Sequence, residues 1–123
     1  MKDADFDLWL QGRSEDQVES LRNLRFLILE HTHGLQESVN KGKWLTNYVF
    51  YASQSGMVYA IGPKGKTKTT LHMMPYYGSA ELQERHRTAL SPFLTGKSCI
   101  TFRKFSDLPT SNLVNIFVVG TPT

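Results

Sequence analysis

Two rhythms of hydrophobic and polar residues divide the chain. Val18, Leu21, Leu24, Leu27 and Ile28 recur at spacings of three and four, while Glu19, Arg22, Asn23 and Glu30 fall elsewhere around the same turn, which predicts an amphipathic helix. Ser14-Glu-Asp-Gln17 has the capping-box spacing that satisfies orphan backbone donors, so the helix should begin near Glu15; Gly34 should end it. The rhythm then shortens. Leu45–Ser53, Met57–Ile61 and Thr67–Tyr77 are rich in branched and aromatic residues that suit a pleated surface, and Gln54-Ser55-Gly56 and Gly62-Pro-Lys-Gly-Lys66 between them suit hairpin turns, so an antiparallel meander is expected. Leu35–Lys43 reads as a connector. Ser79 and Glu81 suit the start of a second helix whose buried stripe is Leu82, His86, Ala89, Leu90 and Phe93, with Pro92 near its end. Lys97–Lys104 alternates, placing Ile100 and Phe102 on one face of a fourth strand. Asn112–Val119 reads as a last helix burying Leu113, Ile116 and Phe117, although Val118-Val119 also suits a strand.

The expected fold is therefore a single α+β domain over residues 1–123, a two-layer sandwich with a mainly antiparallel sheet of about four strands and helices on one face, in the order α-β-β-β-α-β-α. Residues 1–13 form a docking segment that tucks Phe6, Leu8, Trp9 and Leu10 against it. The meander is apolar on both sides over Tyr48–Ala52 and Met57–Ile61, whereas a sheet with one wet face should alternate. An apolar second face needs a cover. The expectation is a two-fold homodimer through that face or a strand edge, the alternative being a monomer with the N-terminal segment folded across the face as a lid.

Composition narrows the class only modestly. Hydrophobic residues at 40% and charged residues at 20% describe a globular chain, and no apolar run approaches the length of a membrane span. The start Met-Lys-Asp-Ala-Asp-Phe-Asp lacks the basic lead and apolar core of a secretory signal, and Cys99 is the single cysteine, so a cytoplasmic location is expected. Fourteen Lys and Arg against eleven Asp and Glu leave a net charge of +3, which does not indicate a nucleic-acid partner.

Candidate chemistry is sparse. His31 and His33 flank one residue at a helix end, a geometry that does not face two imidazoles at one cation. Ala60–Thr67 fits a loose phosphate-binding loop, but that chemistry requires a helix after Lys66, and Thr67-Lys-Thr-Thr-Leu-His favours a strand. A hairpin turn is expected there. The function expected is a noncatalytic binding or interaction domain for an unidentified small ligand or protein, with Tyr48, Tyr51, Tyr59 and His72 near the sheet's helix-free surface and Glu37, Lys97 and Arg103 at its rim. A small enzyme would need His72, Cys99 and Glu37 gathered as base, nucleophile and partner.

The motif order also resembles the YdhG-like family, also called domain of unknown function 1801. The likeness runs from about Ser14 to Val119 and is carried by Leu21-Arg-Asn-Leu-Arg-Phe-Leu-Ile, Glu37, the Tyr51–Ile61 hairpin, Leu71-His72-Met-Met-Pro75, Gly96-Lys97-Ser-Cys-Ile-Thr-Phe-Arg103 and Asp107-Leu108-Pro109. The family usually has a Trp and then a Pro soon after the acid; here Lys43-Trp44-Leu-Thr-Asn-Tyr48 has no proline. The resemblance implies no reaction. Some relatives are described as frataxin-like iron chaperones, which implies iron as an alternative cofactor, with Glu15, Asp16 and Glu19 as the carboxylates to hold it.

Overall fold

The structure is a computed structural model and describes residues 1–122. Helix α1 (Asp3–Leu10) and helix α2 (Glu15–His31) lead into strands β1 (Gln36–Val39), β2 (Val49–Ser53), β3 (Gly56–Lys64) and β4 (Lys68–Met73). The short α3 (Met74–Tyr77), α4 (Ala80–Leu90), β5 (Cys99–Phe102) and α5 (Thr110–Gly120) follow. All five strands form one antiparallel sheet in the order β1-β2-β3-β4-β5. The α+β two-layer reading holds, with one strand more than the sequence suggested.

The capping box at the start of α2 is formed on both sides, Ser14 Oγ accepting from Gln17 N and Gln17 Oε1 accepting from Ser14 N, each at 3.2 Å. The same glutamine then locks the hairpin expected in place of a phosphate loop: its Nε2 donates to Gly65 O at 3.0 Å and Lys68 O at 2.9 Å. A strand, not a helix, follows Lys66. The terminal segment is helical and buries Leu113, Ile116 and Phe117, as the periodicity predicted.

Register decides which residues meet the helices. Glu37 and Val39 pair with Tyr51 and Val49, these with Tyr59 and Ile61, and these in turn with Met73 and Leu71; Ile100 and Phe102 continue the row on β5. This row packs under α2 and α5, where the Tyr59 ring meets Phe117 edge-on at 5.0 Å and its hydroxyl bonds Thr121 at 2.8 Å. Burial pushes the pKa of that hydroxyl up to about 12. Between α4 and α5, buried His86 is hydrogen-bonded through Nδ1 to Asn112 Nδ2 and through Nε2 to Asn115 Oδ1, both at 2.8 Å, so both ring nitrogens have partners.

Three boundaries differ from the sequence reading. Gln36–Val39, expected as connector, is an edge strand whose acid is paired with Arg25 and Tyr51 inside the fold. The strand expected from Leu45 starts at Val49, because Leu45 and Asn47 take left-handed φ of 52° and 68° in a turn held by Asn40. The run expected to continue to Tyr77 stops at Met73, where Pro75 opens α3.

The N-terminal segment does not lie across the helix-free face. Helix α1 packs on α2, with Phe6 and Leu10 in the core and ion pairs from Asp7 to Arg22 at 2.8 Å and from Asp3 to Arg25 at 2.7 Å. Truncating Phe6 to Ala is expected to cost about 3 kcal/mol, as for other buried aromatics, and to loosen α1 first. Urea denaturation together with amide exchange in α1 measures both.

Candidate functional site

The second face of the sheet carries Gln36 and Ser38 from β1, Phe50 and Ala52 from β2, Ala60 and Gly62 from β3, Thr70 and His72 from β4, and Cys99 and Thr101 from β5. No helix covers it. Its cover is the β1–β2 loop, folded back so that Trp44 and Tyr48 stand on the sheet. Asn40 organises that loop: its backbone pairs with Asn47 and Tyr48, and its amide donates to Trp44 O at 2.6 Å and Leu45 O at 3.2 Å. Thr46 Oγ1 bonds Gly42 O and Lys43 O across the same turn. Trp9 on α1 buttresses it from behind, donating Nε1 to Asn47 O at 2.9 Å.

Four rings meet there. Trp44 makes edge contacts with Phe50 at 6.4 Å and His72 at 5.9 Å, and Tyr48 meets His72 at 6.1 Å. Such edge contacts place the positive rim of one ring near the negative face of another. Tyr48 lies flat over Gly62, where a Cβ would sit 2.4 Å from its ring, and its hydroxyl donates to Pro63 O at 3.1 Å. The glycine is required by this close approach. Burial raises the pKa of the Tyr48 hydroxyl and lowers that of His72, so both rings are held neutral. Compared with family models, curated proteins and solved structures, the chain finds no match. Trp44 itself remains 60% exposed, above a half-buried His72.

Beside the rings, Thr70, Thr101 and Thr95 form a hydroxyl chain with spacings of 3.0 and 2.9 Å, and Cys99 Sγ donates to Thr95 O at 3.1 Å. Lys64 and Lys68, partners at the β3–β4 hairpin, bring positive charge to one end of the face.

The residues expected at this surface divide. Tyr48 and His72 are brought together on it. Tyr51 and Tyr59, fully buried on the opposite face, are not, because their register partners place them under the helices. Glu37 shares that inner face and binds Arg25 and Tyr51. Arg103 sits beyond the end of β5, its Nε donating to Asp16 Oδ2 at 3.1 Å, and Lys97 lines a separate groove. Trp44, Phe50 and Gly62 were missed as site residues, although an aromatic four residues before Tyr48 and a glycine inside a strand were the available signals.

His72 and Cys99 are register partners, but Glu37 faces the other way at the far edge, so the three groups of the enzyme reading do not converge. Of the carboxylates named for iron, Asp16 is engaged by Arg103, while Glu15 and Glu19 are exposed on α2. Anaerobic calorimetry with ferrous iron is expected to show no micromolar binding; such binding, lost on substituting Glu15, Asp16 and Glu19, would reverse that expectation.

The lowered pKa of His72 has a measurable consequence. The unfolded chain takes up a proton at the ordinary value of 6.5, whereas the folded ring does so only at lower pH. Between the two, the unfolded state binds more protons, so stability should fall as pH drops below about 6.5. Urea denaturation at about pH 7.5 and 5.5 should show a smaller loss for His72→Gln than for the wild type. An equal loss would mean that His72 titrates in solvent.

Proposed function

We propose that this chain is a noncatalytic binding domain of the YdhG-like type whose helix-free sheet face associates with a second copy of itself. The observation that carries the reading is Trp44, exposed yet held over Phe50 and His72 by a hydrogen-bonded loop. A large aromatic kept in one position in water loses little conformational freedom on association and brings a large apolar area, which is why Trp and Tyr dominate interface hot spots. The neighbouring positions are apolar, hydroxyl-bearing or neutral imidazole, so few charges need be stripped of water. A two-fold axis through the rings and across the strands would send the Lys64 and Lys68 ends of the two copies to opposite extremes.

Sedimentation equilibrium tests the reading. The wild type should move from about 14 kDa at low concentration toward twice that mass, and Trp44→Ala should stay monomeric. A wild type that remains a monomer across the range refutes self-association through this face.

A further inference from the structure

A second site lies away from the rings. Tyr76 and Tyr77 of α3, Arg87 of α4, and Leu94, Gly96 and Lys97 of the segment before β5 line a groove of about 730 Å³. We propose that it binds a small anion carrying a planar ring, with an aryl phosphate as the fitting class.

Charge comes first. Arg87 and Lys97 both line the groove, and among the described residues no acid lines it and neither cation takes part in an ion pair. The groove between α1 and α2 differs, since Asp3, Asp7 and Glu30 there offset Arg22 and Arg25. Two uncompensated cations in a concave wall favour an anion over water, and both can donate charge-assisted hydrogen bonds to phosphate oxygens.

Tyr76 is the second, independent observation. Its ring is packed in the core, with the residue 3% exposed, yet among the described residues no group hydrogen-bonds its hydroxyl. Burial raises the pKa of that hydroxyl and the Arg87 charge lowers it in part, and both residues line the groove. The hydroxyl keeps contact with solvent, so in the open groove water meets its donor, which can turn instead to a bound acceptor. A phosphate supplies one.

The ring follows from the other wall. Tyr77 is half exposed beside Tyr76, and Leu94 adds apolar surface to the same lining. The wall is prepared before any ligand arrives, because Gln83 Nε2 donates to both Tyr76 O and Tyr77 O at 3.0 Å and so fixes α3 on α4. The volume lies within the ordinary range for small-molecule clefts.

Calorimetry of the full chain with phenyl phosphate at low salt tests the site independently of self-association. Saturable one-to-one binding is expected, tighter than for inorganic phosphate, with Arg87→Gln and Lys97→Gln each weakening it about tenfold and Tyr76→Phe several-fold. Trp44→Ala should leave it unchanged. Absence of saturation, equal binding of inorganic phosphate, or indifference to Arg87→Gln and Lys97→Gln overturns the proposal. Should Tyr76→Phe fail to fold, wild-type amide shifts on titration serve instead: shifts at Tyr77, Gly96 and Lys97 support the site, and shifts confined elsewhere overturn it.

Discussion

Replacing Glu37 by Ala should remove about 3–5 kcal/mol of stability, the usual cost of stripping one partner from a buried ion pair. The carboxylate accepts from Arg25 Nε at 2.9 Å and Nη2 at 3.0 Å and from the Tyr51 hydroxyl at 2.6 Å. Its side chain is 6% exposed and that of Arg25 13%. The Glu37 hydrogen bonds hold the Arg25 pKa above its ordinary value, while burial, reinforced by the Glu37 charge, raises that of Tyr51, so Arg25 is held as a cation and Tyr51 as a neutral phenol. Asp3 remains as an exposed partner for Arg25 after the substitution, which favours the lower end of the range. The combined change Arg25→Met, Glu37→Leu and Tyr51→Phe should recover part of the loss, because the guanidinium and phenol are removed with the acid, while the N-terminal ammonium 3.9 Å from Glu37 loses its partner. Urea denaturation measures both. A cost below about 1 kcal/mol for Glu37→Ala would mean that water already reaches the pair.

Gly62→Ala should destabilise the chain by acting on the candidate site itself. A methyl group there would overlap the Tyr48 ring, with Cδ1 at 2.4 Å, and β3 cannot retreat because it lies between β2 and β4. Tyr48 must swing out, losing its contact with His72 and its hydrogen bond to Pro63 O. Overpacking of this kind costs about 1–3 kcal/mol. The pairing Tyr48→Ala with Gly62→Ala separates crowding from loss of the ring: if crowding dominates, the double variant should be no less stable than Tyr48→Ala alone. A Gly62→Ala protein as stable as the wild type would show that the ring does not rest on the strand.

Much of the fold was legible because local signals agreed with the packing. The capping box, the stripe from Val18 to Ile28, the hairpin at Gly65 and the alternation of Ile100 and Phe102 each depend on neighbours in sequence, and each appears where the pattern put it. Strand β1 was not legible. Its four residues Gln-Glu-Ser-Val include an acid buried only because Arg25 and Tyr51 reach it from α2 and β2, a long-range arrangement without local trace. The site was half legible for a related reason. Alternation separates Tyr48 from Tyr51 and Phe50 from Tyr59, but which set faces the helices depends on register and on the bulge between Tyr51 and Ala52. Tyr51 and Tyr59 were therefore assigned to the wrong face. Trp44 escaped notice because its place over the sheet depends on left-handed Leu45 and Asn47, residues that a side-chain pattern does not mark.

Another apolar surface competes with the helix-free face: Phe26 and Leu29 stand exposed on α2, and Val118 and Val119 on α5. Amide shift mapping over a concentration series distinguishes them directly. If the sheet face is where two copies meet, shifts should grow with concentration at Trp44, Phe50, His72 and Thr101, including the Trp44 indole, and disappear in Trp44→Ala. Concentration-dependent shifts centred on Phe26 and Leu29, with Trp44 and His72 unmoved, would contradict the assignment of the binding face.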